Sequence, residues 1–78
     1  MRHVTVYTRV DCHLCEVAVA EVESIAAETG ASWSPVDVDA DPEDRAEYGD
    51  RVPVILVDGV EHGYYRVEPE RLRRALSG

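Results

Sequence analysis

The sequence predicts an α/β chain built on a four-stranded mixed sheet, with its elements in the order β-α-β-α-β-β-α. Three observations carry this. An alternating, β-branched stretch, His3-Val4-Thr5-Val6-Tyr7-Thr8, leads into a helical apolar repeat and then into a second strand-like run, Trp33 to Val38. Strand, helix and strand within that span make a βαβ unit, which normally closes as a right-handed parallel crossover. Further on, Val54-Ile55-Leu56-Val57 is a short continuous apolar run followed at once by Asp58-Gly59. That pattern is a buried strand entering a tight hairpin. Last, Glu68 to Leu76 reads as a closing helix, with its acids early and its bases late.

Each element has its own justification. The first strand alternates with period two and is rich in residues that suit a pleated surface. Arg9-Val10-Asp11 is a short loop. From Cys12, the residues Leu14, Val17, Ala18, Val22, Ile25 and Ala26 recur at three- and four-residue steps with acids between them. This is an amphipathic helix ending near Thr29-Gly30, where glycine supplies the C-terminal cap. Asp11 is a candidate N-terminal cap. Pro35 in the second strand points to an edge or strand-start position, because proline donates nothing to a ladder. Asp41 before Pro42 reads as an N-cap followed by proline at the first helical position, opening a short helix to about Tyr48 that Gly49 ends. Val60 to Tyr65 returns antiparallel after the hairpin and forms one edge of the sheet. Within it, Tyr64 and Tyr65 read as strand residues packing one on each face. Leu72, Ala75 and Leu76 form the apolar face of the closing helix.

Composition bounds the function. The 78 residues read as a single domain over 1–78, and 45% of them are hydrophobic, which argues against disorder. There is no Phe and only one Trp, so aliphatic side chains must fill the core. Sixteen acids against eight bases give a net charge of −8, and every base is Arg. Such a surface repels phosphate backbones and anionic membranes, so neither nucleic acid nor a membrane is an expected partner. No apolar run approaches the roughly 20 residues of a membrane span, and the start of the chain has no secretory pattern. The expected location is the cytoplasm, where thiols stay reduced and a purely structural disulfide is uncommon.

Cys12-His13-Leu14-Cys15 is a CxxC, a pattern shared by redox and metal sites. Its context favours redox chemistry, since it stands just after a strand and at the mouth of a helix. Unpartnered N–H groups and the positive end of the helix dipole stabilise a thiolate there. Cys12 is therefore the candidate nucleophile. Cys15, one turn further on and on the same face, is placed to attack a mixed disulfide on Cys12. Cys12 is expected to be the more acidic of the two. Arg9 and His13 add positive charge nearby, while Asp11 opposes them. A zinc site would need two further ligands with tetrahedral reach; His13 is poorly spaced, and His3 and His62 read as surface histidines on strands.

Tyr7-Thr8-Arg9-Val10-Asp11-Cys12-His13-Leu14-Cys15, followed by Val52-Pro53 and then Val57-Asp58-Gly59, resembles the glutaredoxin family over nearly the whole chain, and most of all a small glutaredoxin-like branch of largely uncharacterised function. The resemblance implies a thioredoxin-like fold. It implies a cis Val52–Pro53 bond beside the cysteines, offering backbone groups to a docked peptide or to glutathione. It implies Cys12 as attacking and Cys15 as resolving thiol, with Arg9 near the site to meet a glutathione carboxylate. Two departures stand out. His13-Leu14 replaces the usual Pro-Tyr between the cysteines, and of the family's Gly-Gly-acid segment only Gly63 matches, with Tyr64 in place of the second glycine.

The expected function is thiol–disulfide exchange serving cell redox homeostasis and electron transport, acting on disulfide-bearing proteins or small mixed disulfides. The expected substrate-binding residues are Arg9, His13, Leu14, Val52, Pro53, Gly63 and Tyr64. No tightly bound cofactor or metal is expected. Glutathione, another low-molecular-weight thiol or a flavin-dependent reductase would return the electrons, and the chain is expected to act as a monomer. Iron–sulfur or metal handling and a non-catalytic adaptor role are the alternatives.

Overall fold

The computed structural model describes residues 2–77; Met1 and Gly78, the two ends of the domain read over 1–78, lie outside the described residues. The elements are β1 (His3–Thr8), α1 (His13–Thr29), β2 (Ser32–Asp37), a 3-10 turn (Val38–Ala40), α2 (Pro42–Tyr48), β3 (Val54–Val57), β4 (Val60–Tyr64) and α3 (Pro69–Ser77). The sheet order is β2-β1-β3-β4. β1 and β2 run parallel, while β1–β3 and β3–β4 are antiparallel. β2 and β4 are the edges, and Pro35 sits in β2, where one side of the strand needs no ladder partner.

Strand period decides which face is core. Val4 lies opposite Val57 and Val6 opposite Ile55, so these four point to one side. Val22 and Ile25 of α1 and Leu72 and Leu76 of α3 pack against them, closing a core of aliphatic side chains. All four residues of β3 are buried, whereas the equally interior β1 buries only Val4 and Val6 fully. Local chemistry ends the helices where expected. Gly30 takes a left-handed φ of 77° after α1, and its N–H reaches Ala26 O. The Asp41 carboxylate accepts the Glu43 N–H at 2.8 Å, with Pro42 opening α2.

Three details differ from the sequence reading. The buried stripe of α1 is Cys15, Ala18, Val22, Ile25 and Ala26, whereas Leu14 is 54% and Val17 42% exposed. Both lie a fraction of a turn off that stripe. Tyr65 is not in β4 at all: it adopts φ 71° just beyond the strand, and Tyr64 and Tyr65 are both exposed with their rings edge to face. Finally, Ile55 pairs with Gly63 but Leu56 pairs with Glu61, so His62 is the extra residue of a β-bulge.

The bulge turns His62 inward, and its buried Nε2 has no hydrogen-bond partner. Burial pushes its pKa down, Arg71 adds to this and Glu68 opposes it. The fold therefore prefers neutral His62, and the unfolded chain binds more protons below the ordinary histidine value of about 6.5. Stability is expected to be fully present above that value and to fall as the pH drops through it. Melting temperatures measured between about pH 7.5 and pH 5 should show this decline, with a shallower slope in His62→Gln. Equal slopes in the two proteins would refute it.

His3 behaves differently. Its ring nitrogens meet the Ser32 and Ser34 hydroxyls at 2.7 and 2.9 Å, binding β1 to β2. Among the described residues no group of three or more His, Cys, Asp or Glu side chains is arranged to hold a metal ion. No helix among them is long and apolar enough to cross a membrane.

Candidate active site

β1 delivers the chain to the site and then stops at Thr8. The turn that follows places Asp11 at φ 61°, a left-handed conformation that Asp tolerates better than most residues. Asp11 does not cap α1. The cap is Cys12 itself, extended at φ −109° and ψ 106°, with its Sγ accepting the Cys15 N–H at 3.2 Å. The Cys12 carbonyl accepts the Glu16 N–H, also at 3.2 Å, as the first bond of the helix. A thiol thus occupies the position that Ser, Thr, Asp or Asn usually fill, among N–H groups the helix leaves unpartnered.

The two sulfurs stand in different surroundings. Cys12 is half-buried, and Cys15 is 2% exposed. Burial pushes the Cys15 thiol up to about 11, helped by its hydrogen bond to Cys12 and by the negative charge Cys12 can carry. A backbone hydrogen bond from Arg9 and the Arg9 charge pull the other way. A shallow groove of about 300 Å³ is lined by Thr8, Cys15, Glu16 and Val19. Around the turn, Val10 (71% exposed), Leu14 and Val17 present an apolar rim to solvent. His13 projects outward, its Nδ1 3.8 Å from Glu16 Oε2.

Arg9 does not reach into the site as a free cation. Its Nε and Nη2 bond the two carboxylate oxygens of Asp39, each at 3.0 Å, and its Nη1 donates to Gly49 O at 3.2 Å. The active-site turn is thereby tied to the 3-10 turn and to the end of α2. This fork geometry suits a bidentate guanidinium–carboxylate pair. Sequence reading missed Asp39 and the role of Gly49, because contacts spanning 30 and 40 residues leave no local signal.

Gly49 is also sterically committed. A Cβ there would stand 2.5 Å from Arg45 O, so backbone must shift to admit it. Gly63 has open space around the same position. Gly49→Ala is expected to destabilise the chain by about 1–3 kcal/mol through overpacking, while Gly63→Ala stays within about 0.5 kcal/mol of wild type. Denaturant midpoints check the pair. Equal effects at the two glycines would contradict the steric argument.

The Val52–Pro53 bond is cis, in agreement with what the resemblance implies, and Pro53 is buried. The register of Tyr7 opposite Val54 brings Pro53 to the end of the sheet from which the Cys12 turn departs. The Tyr65 N–H holds Pro53 O at 2.8 Å. Arg51, just before this bond, lies over the rings of Tyr48 and Tyr64 at 5.9 and 5.7 Å, bonds Glu61 at 3.0 Å and donates to Glu47 O at 2.7 Å. Tyr48 in turn stacks on Tyr7 at 4.4 Å. Of the residues expected to form the site, Cys12, Cys15, His13, Leu14 and Arg9 gather on the first turn of α1 and the loop before it. Val52 and Pro53 immediately precede β3, and Gly63 and Tyr64 are the last residues of β4. The Tyr7–Tyr48–Arg51–Tyr64 cluster was not anticipated.

The sequence signature of the Glutaredoxin-like domain (DUF836) matches residues 3–77. The chain belongs to that family. This glutaredoxin-like chain is 39% identical over 79 positions to an uncharacterized protein of Mycobacterium tuberculosis, a match covering 95% of this chain and 81% of that protein. A protein of X. campestris solved by X-ray methods shares 35% identity with a TM-score of 0.75, covering 94% of this chain and 93% of that one. A mutant thioredoxin from Halobacterium salinarum superposes with a TM-score of 0.71 at 22% identity, over 96% of this chain and 71% of that one. That likeness shows the thioredoxin fold of this glutaredoxin-like chain.

Proposed function

We propose that this chain is a dithiol thiol–disulfide oxidoreductase with Cys12 as nucleophile and Cys15 as resolving thiol. What supports the reading most directly is the Cys12 Sγ at the helix mouth, receiving the Cys15 N–H, with the Cys15 sulfur buried one turn behind it. The Cys12 thiolate attacks one sulfur of a substrate disulfide. A Cys12–substrate disulfide forms, the substrate S–S bond breaks, and one substrate thiolate leaves and takes up a proton. Cys15 then loses its proton, attacks Cys12 Sγ and expels the second substrate thiolate. Two electrons pass from the dithiol to the substrate, leaving a Cys12–Cys15 disulfide.

The electrostatics support this order of events. Two of the influences that hold Cys15 protonated come from Cys12: the hydrogen bond and the charge. Both vanish once Cys12 is bound in a mixed disulfide, leaving burial as the influence that raises the Cys15 thiol, so its proton is held less tightly at the step that needs it gone. Glutathione, another low-molecular-weight thiol or a flavin-dependent reductase returns the two electrons. The docking surface comprises Leu14, His13, the Val52–Pro53 segment, Gly63 and Tyr64. Arg9 serves it as a positioning residue through Asp39 and Gly49. The domain acts as a cytoplasmic monomer on protein or small-molecule disulfides.

Trapping tests the roles. Cys15→Ser is expected to accumulate a covalent adduct, through Cys12, with a disulfide-bonded protein, read by intact mass. Cys12→Ser is expected to give none. Adducts of equal yield through either cysteine would refute the assignment.

A further inference from the structure

We infer that the Cys12 site selects disulfides flanked by basic and apolar residues, and disfavours anionic disulfides. The inference rests on the oxidoreductase reading above and specifies its substrate class.

The charges nearest Cys12 decide the sign. Arg9 is the one permanent cation in the turn, and Asp39 cancels it through a bidentate pair. Asp11 adjoins Cys12, exposed and with no compensating pair among the described residues. Glu16, on the first turn of α1, has a side chain 80% exposed, and His13 offsets it only while the imidazole carries a proton. Beyond the Arg9–Asp39 pair, the stretch from Asp37 to Tyr48 carries Asp37, Asp41, Glu43, Asp44 and Glu47 against the single base Arg45. At the end of β1 the Tyr7 phenol is pushed up mainly by burial, and Asp44, Tyr48 and Asp41 add to this, so charges of this stretch act there too. A net charge of −8 on the whole chain adds a long-range component of the same sign.

An anionic disulfide therefore approaches against the field, and a cationic one is drawn in. Exposed charges act over about 10 Å at moderate ionic strength and influence the encounter rate most. The apolar rim of Val10, Leu14 and Val17 then gives the flanking residues of a bound peptide something to cover. The chemistry at sulfur is that described above, so charge enters through binding and encounter and leaves the electron balance unchanged.

Single-turnover exchange tests this. Reduced protein is mixed with three symmetric peptide disulfides that share one apolar residue and differ in flanking Lys, Gln or Glu. Formation of the Cys12–Cys15 disulfide is read after acid quench by mass spectrometry. Each rate is divided by that of a neutral free thiol with the same peptide, which removes intrinsic differences in disulfide reactivity. At about 20 mM salt the Lys peptide is expected to react at least about tenfold faster than the Glu peptide, narrowing to about two- to threefold at 0.5 M. Asp11→Asn keeps a residue suited to left-handed φ, and Glu16→Gln changes an exposed side chain, so both are expected to fold. Each is expected to shrink the Lys-to-Glu ratio about twofold. A Glu peptide that reacts as fast as the Lys peptide, or a ratio insensitive to salt, would overturn the charge selection while leaving the exchange chemistry standing. If no peptide reacts faster with the protein than with the free thiol, the oxidoreductase reading falls and this inference falls with it.

Discussion

At neutral pH, folded Cys15 is expected to be alkylated at least about thirty times more slowly than a cysteine in an unstructured peptide. The figure follows from its pKa, pushed up to about 11 by burial, by the hydrogen bond to Cys12 and by the charge of Cys12. A thiol titrating there is ionised to about one part in ten thousand at pH 7, against about three parts in a hundred for an ordinary thiol near 8.5. Lower ionisation alone slows the reaction by about 300-fold. The more basic thiolate is a better nucleophile, which returns about tenfold. Exclusion of the reagent from a sulfur that is 2% exposed slows it further. Time-resolved alkylation followed by peptide mass mapping should find Cys12 modified first. In Cys12→Ala two of the causes are removed, so Cys15 should react faster than in wild type, and in denaturant the contrast should vanish. Equal rates at the two cysteines in the folded protein would break the proposed division of labour. The same shift has a stability consequence. The fold binds the Cys15 proton more tightly than the unfolded chain does, so its contribution is complete below about pH 8.5 and is lost as the pH rises from there toward about 11.

The parts of this site that sequence revealed are the ones set by neighbours in the chain. Strand-then-CxxC-then-helix is a local pattern, and it located Cys12 at the helix mouth before any coordinate. The hairpin at Asp58-Gly59, the Gly30 cap and the Asp41-Pro42 helix start are equally local, each resting on one residue's backbone preference. Periodicity failed where it must choose a face. A helix whose apolar residues include positions 14, 15, 17 and 18 can be turned either way by a modest rotation. Only the sheet decides that Cys15 and Ala18 go inward while Leu14 and Val17 face solvent. The Arg9–Asp39–Gly49 clamp joins three segments that are distant in sequence, so no window contains it. The left-handed Tyr65 and the His62 bulge were invisible for a related reason. Neither carries the glycine that usually announces such backbone, and each meets residues distant in sequence: the Tyr65 N–H bonds Pro53 O, and His62 lines one cavity with Arg71 and Leu72 of α3.

Leu72→Ala is expected to be the most damaging single truncation outside the cysteines. Leu72 is fully buried in the aliphatic core, among side chains of β1, β3 and α1. Losing a buried leucine this way costs about 2–5 kcal/mol, from lost transfer energy plus the cavity left behind. A chain of this size has about 4–12 kcal/mol in total. The midpoint should therefore fall by about 8–40 °C, at about 4–8 °C per kcal/mol. Leu76 is the other buried residue of α3, Ala75 packs partly against the same core, and the exposed Arg73–Glu28 ion pair to α1 is worth little. Leu14→Ala removes the same atoms from an exposed position on α1 and is expected to cost less than about 0.5 kcal/mol. Its effect should appear in the exchange rate of Cys12 with peptide disulfides, because Leu14 lies exposed on the first turn of α1 that Cys12 caps and supports no core. The two leucines thus separate fold from function: Leu72 moves the melting temperature, and Leu14 moves the kinetics. If Leu72→Ala melted within about 3 °C of wild type, the core described here would not be what holds the domain together.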